Sequence, residues 1–201
     1  MKTILLSALS CLLFLQTPLT AQEAKTLFGN GSPISAADLG FFAAPSIGFG
    51  QLDGGEAALF NLRTGILLKD KLAIGGYFNT SVNNVIPQSE TLPGIYMDYW
   101  TTGGFIEYTL FPEKLVHLSF PIYFGYGEVE MDSENSDPEL GEANFFQLEP
   151  AAMLELNLHK YARFQAGAGY RLLSQMNYRN FNQSDLAGLT AYAGLKLGLF
   201  R

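Results

Sequence analysis

His117 and Ser119 stand two residues apart in the segment Val116-His117-Leu118-Ser119-Phe120. Residues i and i+2 of a strand project from one face, so an imidazole and a hydroxyl lie side by side. Such a pair offers a base and a nucleophile, with Glu155 or Glu107 as the carboxylate that orients the ring. The same alternation places Arg63, Glu107, Glu149, Glu155, Arg163, Arg171 and Lys196 on the polar faces of their own segments. Charges of both signs on one enclosed face either pair and fill a narrow interior or line a path for protons or ions. Their near balance favours pairing, because buried charges persist only when paired and hydrogen-bonded. A third group is wholly acidic: Glu128, Glu130, Asp132, Glu134, Asp137, Glu139 and Glu142 fall within fifteen residues, with no basic residue between them. Hard cations such as Ca²⁺ take carboxylate oxygens, which makes Glu130, Asp132, Glu134, Asp137 and Glu139 candidate ligands. The spacing lacks the order of an EF-hand loop, and a solvated loop extended by self-repulsion is the simpler account.

The elements that hold these residues follow from three short polar turns, Lys69-Asp70-Lys71, Pro112-Glu113-Lys114 and His159-Lys160-Tyr161. On both sides of each, large apolar residues alternate with small or polar ones. The alternation predicts eight strands, over 39–52, 56–68, 72–83, 95–110, 115–130, 144–158, 162–175 and 187–200. Each exceeds the ~9–11 residues that a tilted strand needs to cross a bilayer. Short turns at one end and the longer links 83–94, 131–143 and 176–186 at the other are the pattern of an all-β, eight-stranded antiparallel up-and-down transmembrane barrel. The short turns belong to the periplasm and the long links to the outside. Val116, Leu118, Phe120, Ile122, Phe124 and Tyr126 then face lipid, and His117, Ser119, Pro121 and Tyr123 face the lumen. Pro121 cannot donate a ladder hydrogen bond, so a bulge or bend is expected there. Tyr96, Tyr99, Trp100, Tyr123, Tyr126, Tyr170 and Tyr178 suit an outer interfacial girdle. A soluble eight-stranded barrel would turn its apolar face inward around a ligand, but here the minority face carries the charges.

Residues 1–21 read as an export signal, with Lys2 before the apolar run Ile4 to Leu15, Pro18 after it, and Ala21 at the cut. That run is too short to span a bilayer as a helix. Segment 22–38 reads as a periplasmic tail, and 39–201 as one barrel domain. Cys11 is the sole cysteine and falls inside the signal, so no disulfide is expected. A formal net charge of −7 removes any electrostatic case for nucleic acid. Charged residues make up 15% of the chain against 13% aromatics, sparse for a water-facing surface and fitting for a lipid-facing wall.

With these residues placed, the chain resembles a group of small, uncharacterised outer-membrane β-barrel proteins of Bacteroidota. The resemblance rests on Thr26-Leu27-Phe28-Gly29, on Leu67-Leu68 with Ile74-Gly75-Gly76-Tyr77, and on Lys114 through Pro121. It continues through Asn144-Phe145-Phe146 with Leu148-Glu149-Pro150, Leu154-Glu155-Leu156-Asn157, Ala168-Gly169-Tyr170-Arg171, Asp185 through Leu189, and Leu195 through Phe200. It implies a fold and the outer membrane, with no activity or cofactor to transfer. Phe200, next to last, resembles the terminal aromatic that the barrel insertion machinery reads. The His-x-Ser pair is similar to that of lipid A 3-O-deacylase, another eight-stranded barrel, where an Asn follows the serine. Here Phe120 stands in that place and the pair lies near the periplasmic end.

These readings combine into one expectation: a monomeric, non-enzymatic outer-membrane barrel whose polar lumen is filled by side chains. It would act in envelope integrity or through its outer loops, with outer-membrane lipids and lipopolysaccharide as partners. A small passive channel and a lipid A-modifying hydrolase using His117 and Ser119 are the alternatives.

Overall fold

A computed structural model describes residue 35 and residues 38–90, 92–133, 141–178 and 180–200. The expected export signal, nearly all of segment 22–38, and Glu134, Asp137 and Glu139 of the acidic run lie outside the described residues. No helix among the described residues is long and apolar enough to cross a membrane.

Seven long strands precede the last link: β1 (Leu39–Leu52), β2 (Gly55–Leu68), β3 (Leu72–Ser81), β4 (Ile95–Leu110), β5 (Val116–Ser133), β6 (Glu142–His159) and β7 (Ala162–Leu173). The link then holds a hairpin, β8 (Asn177–Tyr178) with β9 (Phe181–Asn182), and one helical turn, α1 (Gln183–Leu186), before β10 (Gly188–Gly198). The long strands pair antiparallel with their sequence neighbours, and β10 pairs with β1, so eight strands close a barrel. Closure leaves the barrel sheet without a free edge.

The tight turns are built as their residues dictate. Lys69 and Asp70 take positive φ of 50° and 53°, and Asp53 and Gly54 take 46° and 71°. Consecutive positive φ values match the twist of a two-residue hairpin. The barrel strands match the expected segments to within three residues at either end. The link 176–186, expected as plain loop, instead forms the small hairpin and α1.

Pro121 does not act as expected. The register across β5 and β6 is the same before and after Pro121, with Ser119 opposite Met153 and Ile122 opposite Pro150. The ladder simply lacks pairs at Phe120 and Pro121. Pro45 in β1 against β10, and Pro150 in β6 against β7, leave the same kind of gap. A missing N–H removes a ladder bond, but a bulge needs an inserted residue, and none is present at these sites. The one register shift in this part of the wall lies between Asn157 and His159.

Side chains alternate strictly along the wall. In β5, His117, Ser119, Tyr123, Val129 and Met131 are buried, while Val116, Leu118, Phe120, Ile122, Phe124 and Tyr126 are exposed. Along β5 the phase never changes, but the chemistry does. Near the short turns and at mid-height the outward face is apolar and the inward face carries the charges. Toward the long links, Asp98, Glu128, Glu130, Asp132 and Glu142 point outward. Inside, Leu52, Leu59, Ile95, Met97, Tyr99, Val129, Met131 and Phe145 form an apolar cluster, joined by Val85, Met176 and Leu186 from the links. The expectation of a polar lumen therefore holds for the short-turn half only. A wall that leaves hydrocarbon for water must invert its polarity, apolar inside and polar outside.

Candidate functional site

Six of the eight charged residues singled out from the sequence meet in one layer inside the short-turn half. Arg63 Nη1 (β2) donates to Glu107 Oε2 (β4) at 2.5 Å, and Arg63 Nη2 donates to Gln165 Oε1 at 2.5 Å. Lys196 (β10) donates to Glu107, and to Glu155 Oε1 at 2.8 Å. Arg163 Nη1 lies 3.7 Å from Glu155 Oε2, and its Nη2 donates to Asp70 of the first short turn at 3.3 Å. Asp70 completes the layer and was not visible as a member from the strand pattern, because it belongs to a turn. Aromatic rings sandwich the cations: Arg63 lies 5.7 Å from the ring centres of both Phe105 and Tyr123, and Arg163 lies 3.8 Å from that of Phe200. With His117 of β5, six strands thus contribute to a layer in which the Arg and Lys cations and the carboxylates balance, the arrangement in which buried ions are tolerated.

His117 and Ser119 belong to this layer. Ser119 Oγ donates to Glu155 Oε1 at 2.9 Å, and His117 Nε2 lies 3.1 Å from Glu155 Oε2. The other ring nitrogen, Nδ1, lies 3.2 Å from the Lys114 carbonyl. Both ring nitrogens therefore face acceptors, and neither turns a lone pair toward the serine. The serine proton already goes to a carboxylate, and both side chains are buried. Glu155 brings the pair together, but as two donors on one acceptor rather than as nucleophile and base.

Glu149 and Arg171 sit apart from this layer, higher in the lumen. Tyr192 OH and Gln147 Nε2 donate to Glu149 at 2.7 and 3.0 Å, and Tyr99 OH donates to Gln147. Arg171 donates to the Gln51 carbonyl at 2.5 Å, Thr190 Oγ1 at 2.8 Å and the Leu186 carbonyl at 3.3 Å. Tyr99 and Tyr123 are buried in the lumen, not in a girdle, because their positions share the inward phase of β4 and β5. Tyr99 stacks on Phe145 at 5.8 Å. Trp100 and Tyr126 do lie on the outer face, 5.9 Å apart, and Trp100 Nε1 donates to Glu128 at 3.2 Å.

Of the acidic run, Glu130 and Asp132 lie on the outward face of β5, opposite Asp98 and Tyr96 of β4. No cluster of three or more metal-ligating side chains is found among the described residues.

The barrel is similar to Neisserial surface protein A, with a TM-score of 0.54 over 82% of this chain and 97% of that one, at 11% identity. It is also similar to OprG of Pseudomonas aeruginosa, with a TM-score of 0.51, 9% identity, and coverage of 82% and 97%. Ail of Yersinia pestis, solved with the heparin analogue sucrose octasulfate, aligns with a TM-score of 0.50, 17% identity, and coverage of 80% and 97%. This chain has the fold of a small outer-membrane β-barrel. No protein-family model matches the chain, and no curated protein matches it.

Proposed function

We propose that this protein is an integral outer-membrane barrel that does not conduct at rest and works through its outward face and long links. One observation carries the reading: the lumen is blocked twice, by the ion layer in the short-turn half and by the apolar cluster at the long-link end. Eight strands enclose only about enough room for side chains to fill, so the plug belongs to the wall itself. The exposed Phe, Ile and Leu of the outer wall, with Phe41, Ile74 and Phe49 each at least 59% exposed, have no place in water. It suits hydrocarbon, with the outer membrane as the compartment and its lipids as the surrounding partner. The short turns then face the periplasm.

The proposal includes a place among the small Bacteroidota barrels, on the stretches named above, and a monomeric state reached with the barrel insertion machinery. The outward acids Asp98, Glu128, Glu130 and Asp132 give the long-link rim the charge of lipopolysaccharide phosphates, so contact between them runs through divalent cations. Ail's polyanionic ligand is the opposite case, and this acidic rim offers it nothing. The hydrolase reading is not favoured, because Ser119 and His117 both serve Glu155.

The deciding experiment is single-channel conductance of the refolded protein in a planar bilayer. A folded barrel that passes no steady current supports the reading; sustained ion passage by the unaltered protein overturns it in favour of a channel.

A further inference from the structure

We propose that the short-turn end of the seam between β1 and β10 holds one phospholipid of net negative headgroup. One of its chains lies in an apolar groove on the outer wall, and its phosphate meets Lys160 and His159. This site depends on the reading above, that the outer wall meets hydrocarbon and the short turns face the periplasm. The groove is a depression of about 730 Å³ lined by Phe41, Ala43, Tyr161, Leu197, Gly198 and Leu199, a volume in the range of small-ligand sites. Its cause is a step in side-chain size. Ala43 stands opposite Leu197 across the seam, and Leu197 stands opposite Ala162 of β7. Gly198 follows with no side chain, while Phe41, Tyr161 and Leu197 are exposed around these small residues. Phe200 does not fill the space, because it turns to the lumen and lies over Arg163 at 3.8 Å. The backbone donors of the floor are already used: Leu199 N donates to the Phe41 carbonyl at 2.8 Å and Gly198 N to the Tyr161 carbonyl at 3.0 Å. A floor with its N–H groups satisfied accepts hydrocarbon.

The groove ends at a cation. Lys160 Nζ lies 4.8 Å from the centre of the Tyr161 ring, so the ring that walls the groove also carries the ammonium. His159 packs edge-on against the same ring at 5.4 Å. Its Nδ1 accepts from Tyr161 N at 3.4 Å, which makes Nε2 the N–H donor of the neutral imidazole. Two donors thus flank one aromatic wall at a turn, the height at which strands leave hydrocarbon for headgroups. Asp70 shares the adjoining pocket at the lumen mouth with both, but it accepts from Arg163 at 3.3 Å. The other short turns add the exposed Lys69, Lys71 and Lys114 against the exposed Glu113. The outward acids Asp98, Glu128, Glu130 and Asp132 lie at the opposite end of the barrel. Charge therefore complements an anionic headgroup at the short-turn end. A zwitterionic headgroup brings a cation of its own beside the phosphate and gains less from Lys160.

The test measures quenching of one tryptophan at the groove, in the full chain refolded into phosphatidylcholine vesicles. Tyr161→Trp keeps an aromatic ring beneath Lys160, and Trp100→Phe removes the chain's single native tryptophan. The probes are phosphatidylglycerol and phosphatidylcholine carrying the same bromine-labelled chains, each added as a minor component. Phosphatidylglycerol is expected to bind about fivefold more tightly, the share of one lysine near a membrane surface. Lys160→Gln abolishes that preference. Lys114→Gln removes an equal charge, which lies over Phe111 on the β4–β5 turn, and leaves the preference intact. Ala43→Leu raises the groove floor and lowers the preference with Lys160 in place. Equal quenching by the two lipids overturns the site. So does a preference that survives Lys160→Gln, or one that Lys114→Gln reduces as much. A preference unchanged in Ala43→Leu overturns the groove. If neither lipid quenches, the wall does not lie in hydrocarbon, and the membrane reading fails together with the site.

Discussion

Arg63 and Glu107 meet inside the barrel at 2.5 Å, although β3 separates their strands in the wall. Glu107 also takes Lys196 from the far side of the barrel seam. One carboxylate therefore ties β2, β4 and β10 together. Glu107→Ala leaves two buried cations without this partner and is expected to cost about 3–5 kcal/mol of unfolding free energy. Arg63→Met combined with Glu107→Gln is expected to cost less than the sum of the two single changes. Urea unfolding of the refolded barrel measures both. Additive losses would mean that the two side chains do not act as a pair.

Ser119 is expected to behave as a structural donor. Ser119→Ala removes one hydrogen bond to a charged carboxylate and should lower stability by about 1.5–3 kcal/mol. The mass profile of lipid A from cells expressing the intact protein should equal that from cells expressing Ser119→Ala. A loss of acyl chains that depends on Ser119 would restore the hydrolase.

Gly103 and Gly125 face each other across β4 and β5. A Cβ on Gly125 would fall 2.1 Å from the Thr102 carbonyl oxygen and 2.8 Å from Gly103 Cα, both backbone atoms that cannot step aside. Gly125→Ala should therefore cost about 1–3 kcal/mol through overpacking, or more where the wall cannot shift. At Gly188 a Cβ meets nothing within 4 Å, and Gly188→Ala should be near neutral. Equal melting temperatures for the two variants would refute the close-approach argument.

Asp98 supplies a pH dependence at the rim, above the lipid-facing band. Burial first, and then the charge of Asp132, raises its carboxyl above the ordinary value. Glu130 stands directly opposite on β5. The folded state thus holds this proton more tightly than the unfolded chain does. The sign follows: Asp98 favours the fold at low pH, and that contribution is lost as pH rises from the ordinary carboxylate range through the raised value. Asp98→Asn should flatten this part of the stability profile and stabilise the barrel at neutral pH. An unaltered pH profile in Asp98→Asn would remove Asp98 from the account.

The sequence by itself determined the number of barrel strands, their faces and most of their ends. The cause is physical: side chains of a strand alternate with period two, and one face must meet hydrocarbon, so the pattern is written into Val116 through Tyr126 residue by residue. It also placed Arg63, Glu107, His117, Glu155, Arg163 and Lys196 in one half of the lumen, since each lies a countable distance from a short turn. The tertiary structure alone decided who pairs with whom. Glu155 receives Ser119, His117 and Lys196 because barrel closure brings β5, β6 and β10 around one interior. Arg163 reaches Asp70 across 93 residues of chain for the same reason. The apolar plug was half legible, in Val129 and Met131 alternating with Glu128, Glu130 and Asp132. Its other half, Val85, Met176 and Leu186, comes from links with no period to read, and only closure of the barrel brings them over the mouth.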